Sequence, residues 1–232
     1  MRIWAIGDLH LGIAVDKPMD IFGPEWKDHA ATLQANWQAR VASGDTVLVA
    51  GDISWGLRLE EARSDLEFVG RLPGTKILVK GNHDPWWSTR SKVEAVLPDG
   101  MFLLQNDARR ISDAVAVTGT RGWALPGAPD FDPAKDEKIL NREVGRLERG
   151  LAALDRLKPD RRLAMLHYPP LWRDCLDTPF TRLLSAAGVE LCIYGHLHGK
   201  DRAIAYEGDH DGVCYRLVSA DHVGFAPQEI LS

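Results

Sequence analysis

Eight side chains of the kind that hold metals or move protons stand in five short clusters: Asp8 and His10, Asp52, Asn82 and His83, His167, and His196 with His198. Five of the eight histidines are among them. Each cluster follows a short apolar run, and four sit against a glycine: Gly7-Asp8-Leu9-His10, Gly51-Asp52, Gly81-Asn82-His83-Asp84 and Gly195-His196-Leu197-His198. Polar groups at the end of a buried strand are costly without partners. Imidazoles with carboxylates and a carboxamide, and no thiolate, suit Zn, Mn or Fe rather than Ca. So many N/O donors exceed what one four-coordinate zinc needs. Two metals about 3.5–4 Å apart that share a carboxylate would use them, and such a pair can clamp both attacking and leaving oxygens of an in-line displacement at phosphorus. Each cluster alone has a plainer reading: Asp-x-His as a cap, Gly-Asp as a turn, a histidine as a satisfied structural side chain. Five of them at five strand ends do not.

The elements that must position these residues read as an α/β chain. Residues 2–6 predict a first strand, followed by a loop over 13–24. A helix runs from Pro24 to about Val41, with Trp26, Ala30, Leu33, Trp37 and Val41 at three- and four-residue steps. A strand at 46–50, a helix from about 57 to 72 and a strand at 76–80 follow, the last bounded upstream by Pro73-Gly74. That order favours parallel strands joined by right-handed crossovers, whose carboxyl ends face one crevice. A helix near 88–97, strands at 101–105 and 114–118, and an irregular stretch from Gly119 to Pro133 come next. A charged helix at 134–157, a strand at 162–166, a short helix at about 177–187 and a strand at 189–194 complete the pattern. The tail predicts an antiparallel hairpin, 203–206 against 213–219, around Gly208-Asp209-His210-Asp211-Gly212. Neither a repeat nor a linker interrupts residues 1–232, which reads as one domain.

The totals narrow the function classes. With 232 residues, 45% hydrophobic and 26% charged, the chain is of ordinary globular composition. A chain of this size buries roughly 70–75% of its unfolded surface and needs no staples. No apolar run reaches membrane-spanning length. The first strand meets Asp8 after too few apolar residues for a signal-peptide core. Cys175, Cys192 and Cys214 form no CxxC pair, so neither a disulfide framework nor a thiolate zinc site is expected, and a cytoplasmic setting is the default. A net charge of −5 and a pI near 5.9 give no electrostatic footprint for nucleic acid. Oligomeric state leaves no mark in the sequence.

Taken in order, Asp8-Leu9-His10, Gly51-Asp52, Gly81-Asn82-His83-Asp84, His167 and Gly195-His196-Leu197-His198 resemble the calcineurin-like metallophosphoesterase superfamily, over about residues 2–199. The resemblance implies a four-layer αββα sandwich with two mixed β-sheets. It implies that Asp8, His10 and His198 hold one metal, that Asn82, His167 and His196 hold the other, and that Asp52 bridges them. His83 would stand beside the leaving group as a general acid or phosphate-binding donor, and a hydroxide between the metals would attack phosphorus. The protein Ser/Thr phosphatases of that superfamily follow the bridging aspartate with valine-aspartate-arginine-glycine. Here Ile53-Ser54-Trp55-Gly56 follows Asp52, and the third motif ends in Asp84 rather than glutamate. The chain therefore resembles the bacterial phosphohydrolase and phosphodiesterase branches.

Trp55, Trp86, Trp87 and Trp172 lie close to these motifs, where an indole can stack a nucleobase, line a leaving-group pocket or simply pack beneath the loops. Arg121 follows a strand and is a candidate phosphate contact, with a structural arginine as its alternative. Asp209, His210 and Asp211 fall in the hairpin turn, where Asp is common for backbone reasons. The expected activity is hydrolysis of a small-molecule or nucleotide-like phosphomonoester or phosphodiester, with two divalent metal ions (Mn, Fe or Zn) as cofactors. A nuclease of the same fold and a non-catalytic metal-binding scaffold are the competing readings. The first is disfavoured by the acidic balance, the second by the full set of ligand residues.

Overall fold

Four short strands, β1 (Ile3–Ile6), β2 (Thr46–Val49), β3 (Thr75–Leu78) and β4 (Met101–Leu103), lie parallel and are linked through α1 (His29–Arg40), α2 (Leu59–Arg71) and α3 (Arg90–Glu94). The computed structural model describes residues 1–128 and 131–232; two positions of the irregular stretch after Gly119, 129 and 130, lie outside the described residues. A second sheet collects β5 (Ala108–Arg110), β6 (Val115–Thr120), β7 (Arg161–Leu166), β8 (Leu191–Tyr194), β9 (Gly208–His210) and β10 (Val213–Leu217) in the spatial order β5-β6-β7-β8-β10-β9. Its crossovers include α4 (Pro133–Leu157) and α5 (Pro179–Ala186), and its two edge strands run antiparallel to their neighbours. The last strand, β11 (Gln228–Leu231), returns to the first sheet and pairs antiparallel with β1, giving the order β11-β1-β2-β3-β4.

Strand alternation divides the apolar residues among three cores. Ile3, Ala5, Leu48 and Ile77 face Val117, Leu163, Met165 and Ile193 between the two sheets. Their neighbours Trp4, Ile6, Val47 and Val49 point the other way, onto Leu33 and Trp37 of α1 and Leu66 and Val69 of α2. On the far side Ala164, Leu166 and Tyr194 meet Leu147, Leu151 and Leu154 of α4 and Phe180 and Leu184 of α5. Two mixed sheets between two helical layers are the four-layer sandwich that the motif order implied. Among the described residues no helix is long and apolar enough to cross a membrane.

Two local expectations are corrected. The helix expected from Pro24 is a 3-10 turn, Pro24–Trp26, followed by Asp28 in the left-handed region (φ 52°), so that α1 begins only at His29. Residues 199–204 form a 3-10 turn, and the first arm of the tail hairpin is β9. Asp211 and Gly212, both at positive φ (48° and 81°), make its two-residue loop, the conformation that Asp-Gly suits. The two short strands β5 and β11 were not anticipated.

Candidate metal centre

The chain leaves its strands through strained backbone. Asp8, His10, Asp52 and His196 have φ of 58°, 45°, 50° and 74°, four of the nine non-glycine residues at positive φ among the described residues. Such conformations cost on the order of 1–3 kcal/mol each and cluster where function requires them. Backbone bonds hold them in place. The Asp8 N–H donates to the Gly51 carbonyl at 2.8 Å, and the His10 N–H donates to the Asp52 carbonyl at 2.9 Å. The His196 N–H donates to both Asp8 oxygens at 3.0 Å, and the His83 N–H to Asp52 Oδ1 at 2.7 Å. The motif glycines make room for these carboxylates: a Cβ at Gly81 would lie 2.0 Å from Asp52 Oδ1, and one at Gly195 2.3 Å from Asp8 Oδ2.

The seven expected ligand residues converge, although they span positions 8 to 198. Ligand atoms of Asp8, His10 and His198 lie within 4.8 Å of one another, as do those of Asp8, Asp52 and His167. His198 Nε2 is 3.3 Å from His10 Nε2 and 3.3 Å from Asp8 Oδ1. Asn82 Oδ1 lies 2.6 Å from His167 Nε2 and 2.9 Å from His196 Nδ1. Asp52 Oδ2 sits between the two groups, 3.7 Å from His10 Nε2 and 3.5 Å from His167 Nε2.

The donor chemistry fits cations. His167 Nδ1–H donates to the Ala50 carbonyl at 2.9 Å, so in the neutral ring Nε2 is the bare nitrogen, and it faces a carboxamide oxygen. His198 Nδ1–H donates to Asp221 Oδ1 at 3.0 Å, which likewise aims its Nε2 at His10 and Asp8. His10 Nδ1 is buried with no hydrogen-bond partner. Lone pairs brought together in a dry site repel one another, and a divalent ion between them removes that cost.

Burial pushes His10, His167 and His83 below the ordinary imidazole range. Burial, then repulsion from His167, takes His196 down to about 3. The His10, His167 and His196 rings are neutral, as ligands must be. Burial also pulls on His198, but the facing Asp8 and the bond to Asp221 outweigh it and raise it to about 10. Burial lifts Asp52 well above the usual carboxylate range, with the charges of Asp84 and Asp8 adding to the lift. Asp8 is lowered because His198, His167 and His10 overcome its burial.

Three carboxylates to which the sequence reading gave no role hold this arrangement. Asp84 accepts from the backbone N–H groups of Ile53 (2.9 Å), Ser54 (3.2 Å) and Gly81 (2.8 Å) and from Trp86 Nε1 (3.0 Å), tying the Asp52 loop to the Asn82 loop. Asp65 accepts from Ser54 Oγ at 2.5 Å and from the Ile13 N–H at 2.9 Å, joining the loops after β2 and β1. Asp221 accepts from His198 Nδ1 and from the Gly199 N–H at 2.9 Å. Its signal was present, since Val218-Ser219-Ala220-Asp221 is another strand end that runs into an acid.

The residues expected at substrate are spread around the centre. His83 is exposed, its ring 4.6 Å from Trp55 and 5.6 Å from His10. Trp55 stacks on His10 at 4.9 Å and 23°. With His10, His83 and His198 it lines a cavity of about 420 Å³. Trp172 lines a second cavity, of about 320 Å³, that reaches His196. Arg121 turns away from both: Nη2 is 3.6 Å from buried Glu143, its guanidinium lies over Trp123, and it lines a small basic cavity with Lys80, Arg142 and Arg146. Trp86 and Trp87 are buried in the core beneath the Asn82 loop.

A solved structure of a protein of unknown function from Aquifex aeolicus superposes with a TM-score of 0.51 at 16% identity, covering 98% of this chain and 94% of that one, which is a likeness of fold. The Gene 66 protein of Mycobacterium phage L5 is 35% identical over 81 residues, 35% of this chain and 39% of that protein, so the match spans about two-fifths of the relative's length. The family model described as calcineurin-like phosphoesterase matches residues 1–200. By that match this chain belongs to the calcineurin-like phosphoesterase family, hydrolases that act on phosphoric esters.

Proposed function

We propose that the chain hydrolyses a small-molecule or nucleotide-like phosphoester at a binuclear metal centre. The observation that carries this reading is the pair of buried donor sets with Asp52 Oδ2 between them, 3.7 Å from His10 on one side and 3.5 Å from His167 on the other. Asp8, His10 and His198 would hold one ion, Asn82, His167 and His196 the other, with Asp52 shared. Two Mn, Fe or Zn ions, when bound, supply Lewis-acid charge to the phosphate and lower the pKa of water.

The remaining work falls to the chain. Asp84 and Asp65 fix the loops that carry Asp52 and Asn82, so the ligand set is organised before substrate arrives. His83 stands at the opening, held by its own N–H to Asp52 and by the indole of Trp55, with its ring free to meet a leaving oxygen. A proton delivered there as the P–O bond breaks is worth about 10²–10⁴ in rate. The net charge of −5 supports a small substrate over a nucleic-acid backbone.

The test is metal stripping followed by reconstitution. Chelator-treated protein reloaded with Mn should take up two ions per chain, and hydrolysis of aryl phosphates should return with the second ion. Full activity with one ion or fewer per chain, or no phosphoester hydrolysis under any loading with Mn, Zn or Fe, overturns the reading.

A further inference from the structure

Resting on that reading, we propose that the substrate is a phosphodiester, and that the cavity beside His196 receives the organic group that stays on phosphorus. Two cavities open on the centre, one beside each donor set. The larger, about 420 Å³, borders His10, His83 and His198 and is walled by Met19, Phe22 and Trp26. The other, about 320 Å³, borders His196 and is walled by Leu125, Tyr168, Trp172 and Leu197. Both volumes fall in the range of small-ligand pockets, and Asp201 lies on the wall of each. Each mouth also carries a large apolar side chain turned to solvent, Phe22 (57% exposed) at the first and Ile204 (39% exposed) at the second.

A monoester carries one organic group and would use one of these cavities. Its other substituents are charged oxygens, which lose hydration against leucines and an indole and gain nothing in return. A diester has an organic group for each. His83 borders only the larger cavity, which assigns the leaving group to that side and the retained group to the Trp172 side. In the step, the oxygen of water bonds to phosphorus and the bond to the leaving oxygen breaks. That oxygen takes a proton from His83, which is replaced by one from the water. The products are an alcohol and a phosphomonoester whose organic group still lies against Trp172.

Three substrates with one leaving group test this on the metal-loaded chain: p-nitrophenyl phosphate, methyl p-nitrophenyl phosphate and phenyl p-nitrophenyl phosphate. Relative to the uncatalysed rates, kcat/KM should be highest for the phenyl diester, exceeding the methyl diester by about tenfold or more, the scale of one ring removed from water. Ala124→Trp, which fills the second cavity, should erase most of that advantage. Trp172→Ala is the second variant should Ala124→Trp fail to keep its metals or its melting temperature. The monoester as best substrate, a phenyl diester no better than the methyl one, or equal losses on all three substrates in both variants overturns the diester assignment. Hydrolysis of none of the three at any metal loading defeats the phosphoesterase reading itself and is distinguished from those outcomes by the absence of any activity.

Discussion

Asp221→Asn isolates what a carboxylate behind a ligand contributes. The Asp221 side chain is fully buried, and its two oxygens accept from His198 Nδ1 at 3.0 Å and from the Gly199 N–H at 2.9 Å. Asparagine keeps the shape but offers one acceptor. If its oxygen stays on His198, its NH₂ meets the Gly199 N–H, donor against donor. If its oxygen serves Gly199, the NH₂ faces Nδ1, which must then accept, and the ring proton moves to Nε2, the atom that would bind the metal. Either arrangement leaves one buried mismatch, costing about 1–3 kcal/mol. That agrees with the 10–100-fold in metal affinity, about 1.4–2.8 kcal/mol, seen when a partner of a ligating histidine is lost. Competition with a chromophoric chelator should therefore give one Mn site weakened by about 10–100-fold in the variant, with the second little changed. Two sites of wild-type affinity would refute the argument. So would equal weakening of both sites together with a lower melting temperature of the metal-free protein, which would make Asp221 a clamp for the chain and not a partner of His198.

The other predictions concern the shared ligand, the proton donor, a glycine and pH. Asp52→Asn should lower occupancy of both metal sites, measured by metal analysis after dialysis; loss of one ion alone would contradict its place between the sets. His83→Ala should keep both metals while kcat falls by about 10²–10⁴, and less for a p-nitrophenyl ester than for an alkyl ester; loss of metal would make His83 a ligand. Gly81→Ala, which sets a Cβ 2.0 Å from Asp52 Oδ1, should cost metal binding more than its small surface change suggests, and wild-type occupancy would refute the steric account. In the metal-free protein the raised pKa of His198 adds stability that is full below about pH 6.5 and fades as pH rises towards about 10. Buried Lys76, pushed down to about 8, acts in the opposite sense above that pH. The gap in melting temperature between the wild type and Asp221→Asn should therefore narrow as pH rises towards about 10, and a gap constant across pH 6.5 to 10 would remove the His198–Asp221 pair as its cause.

The inner strands were legible because each is an unbroken apolar run closed by glycine and a polar residue: Val47-Leu48-Val49 into Gly51-Asp52, Ile77-Leu78-Val79 into Gly81-Asn82. The edges were not. β5 is Ala108-Arg109-Arg110 and β11 begins Gln228-Glu229, polar stretches that become strands only because a neighbour supplies the ladder, β6 for one and β1 for the other. The late start of α1 turns on Asp28 in the left-handed region, which an otherwise continuous helical period hides. Propensity and period describe what a segment favours alone, and the two edge strands are decided by what lies beside them.

The same division runs through the site. Asp8, His10, Asp52, Asn82, His167, His196 and His198 could be read because the fold places every strand end at one edge, so their order along the chain already implies their meeting. Gly81 and Gly195 have a reason that is visible only in three dimensions: a neighbouring carboxylate occupies the space where a Cβ would be. Asp65 and Asp221 were passed over, and Asp84 was read only as the end of its motif, because a carboxylate that accepts backbone N–H groups looks, in sequence, like any acid in a turn. Yet these three bind the loops at positive φ, and a strained loop keeps its shape only while its amides are held. The ligands and the acids that clamp them are therefore one structure, in which a change at Asp84 or Asp221 should reach the metals as surely as a change at His10.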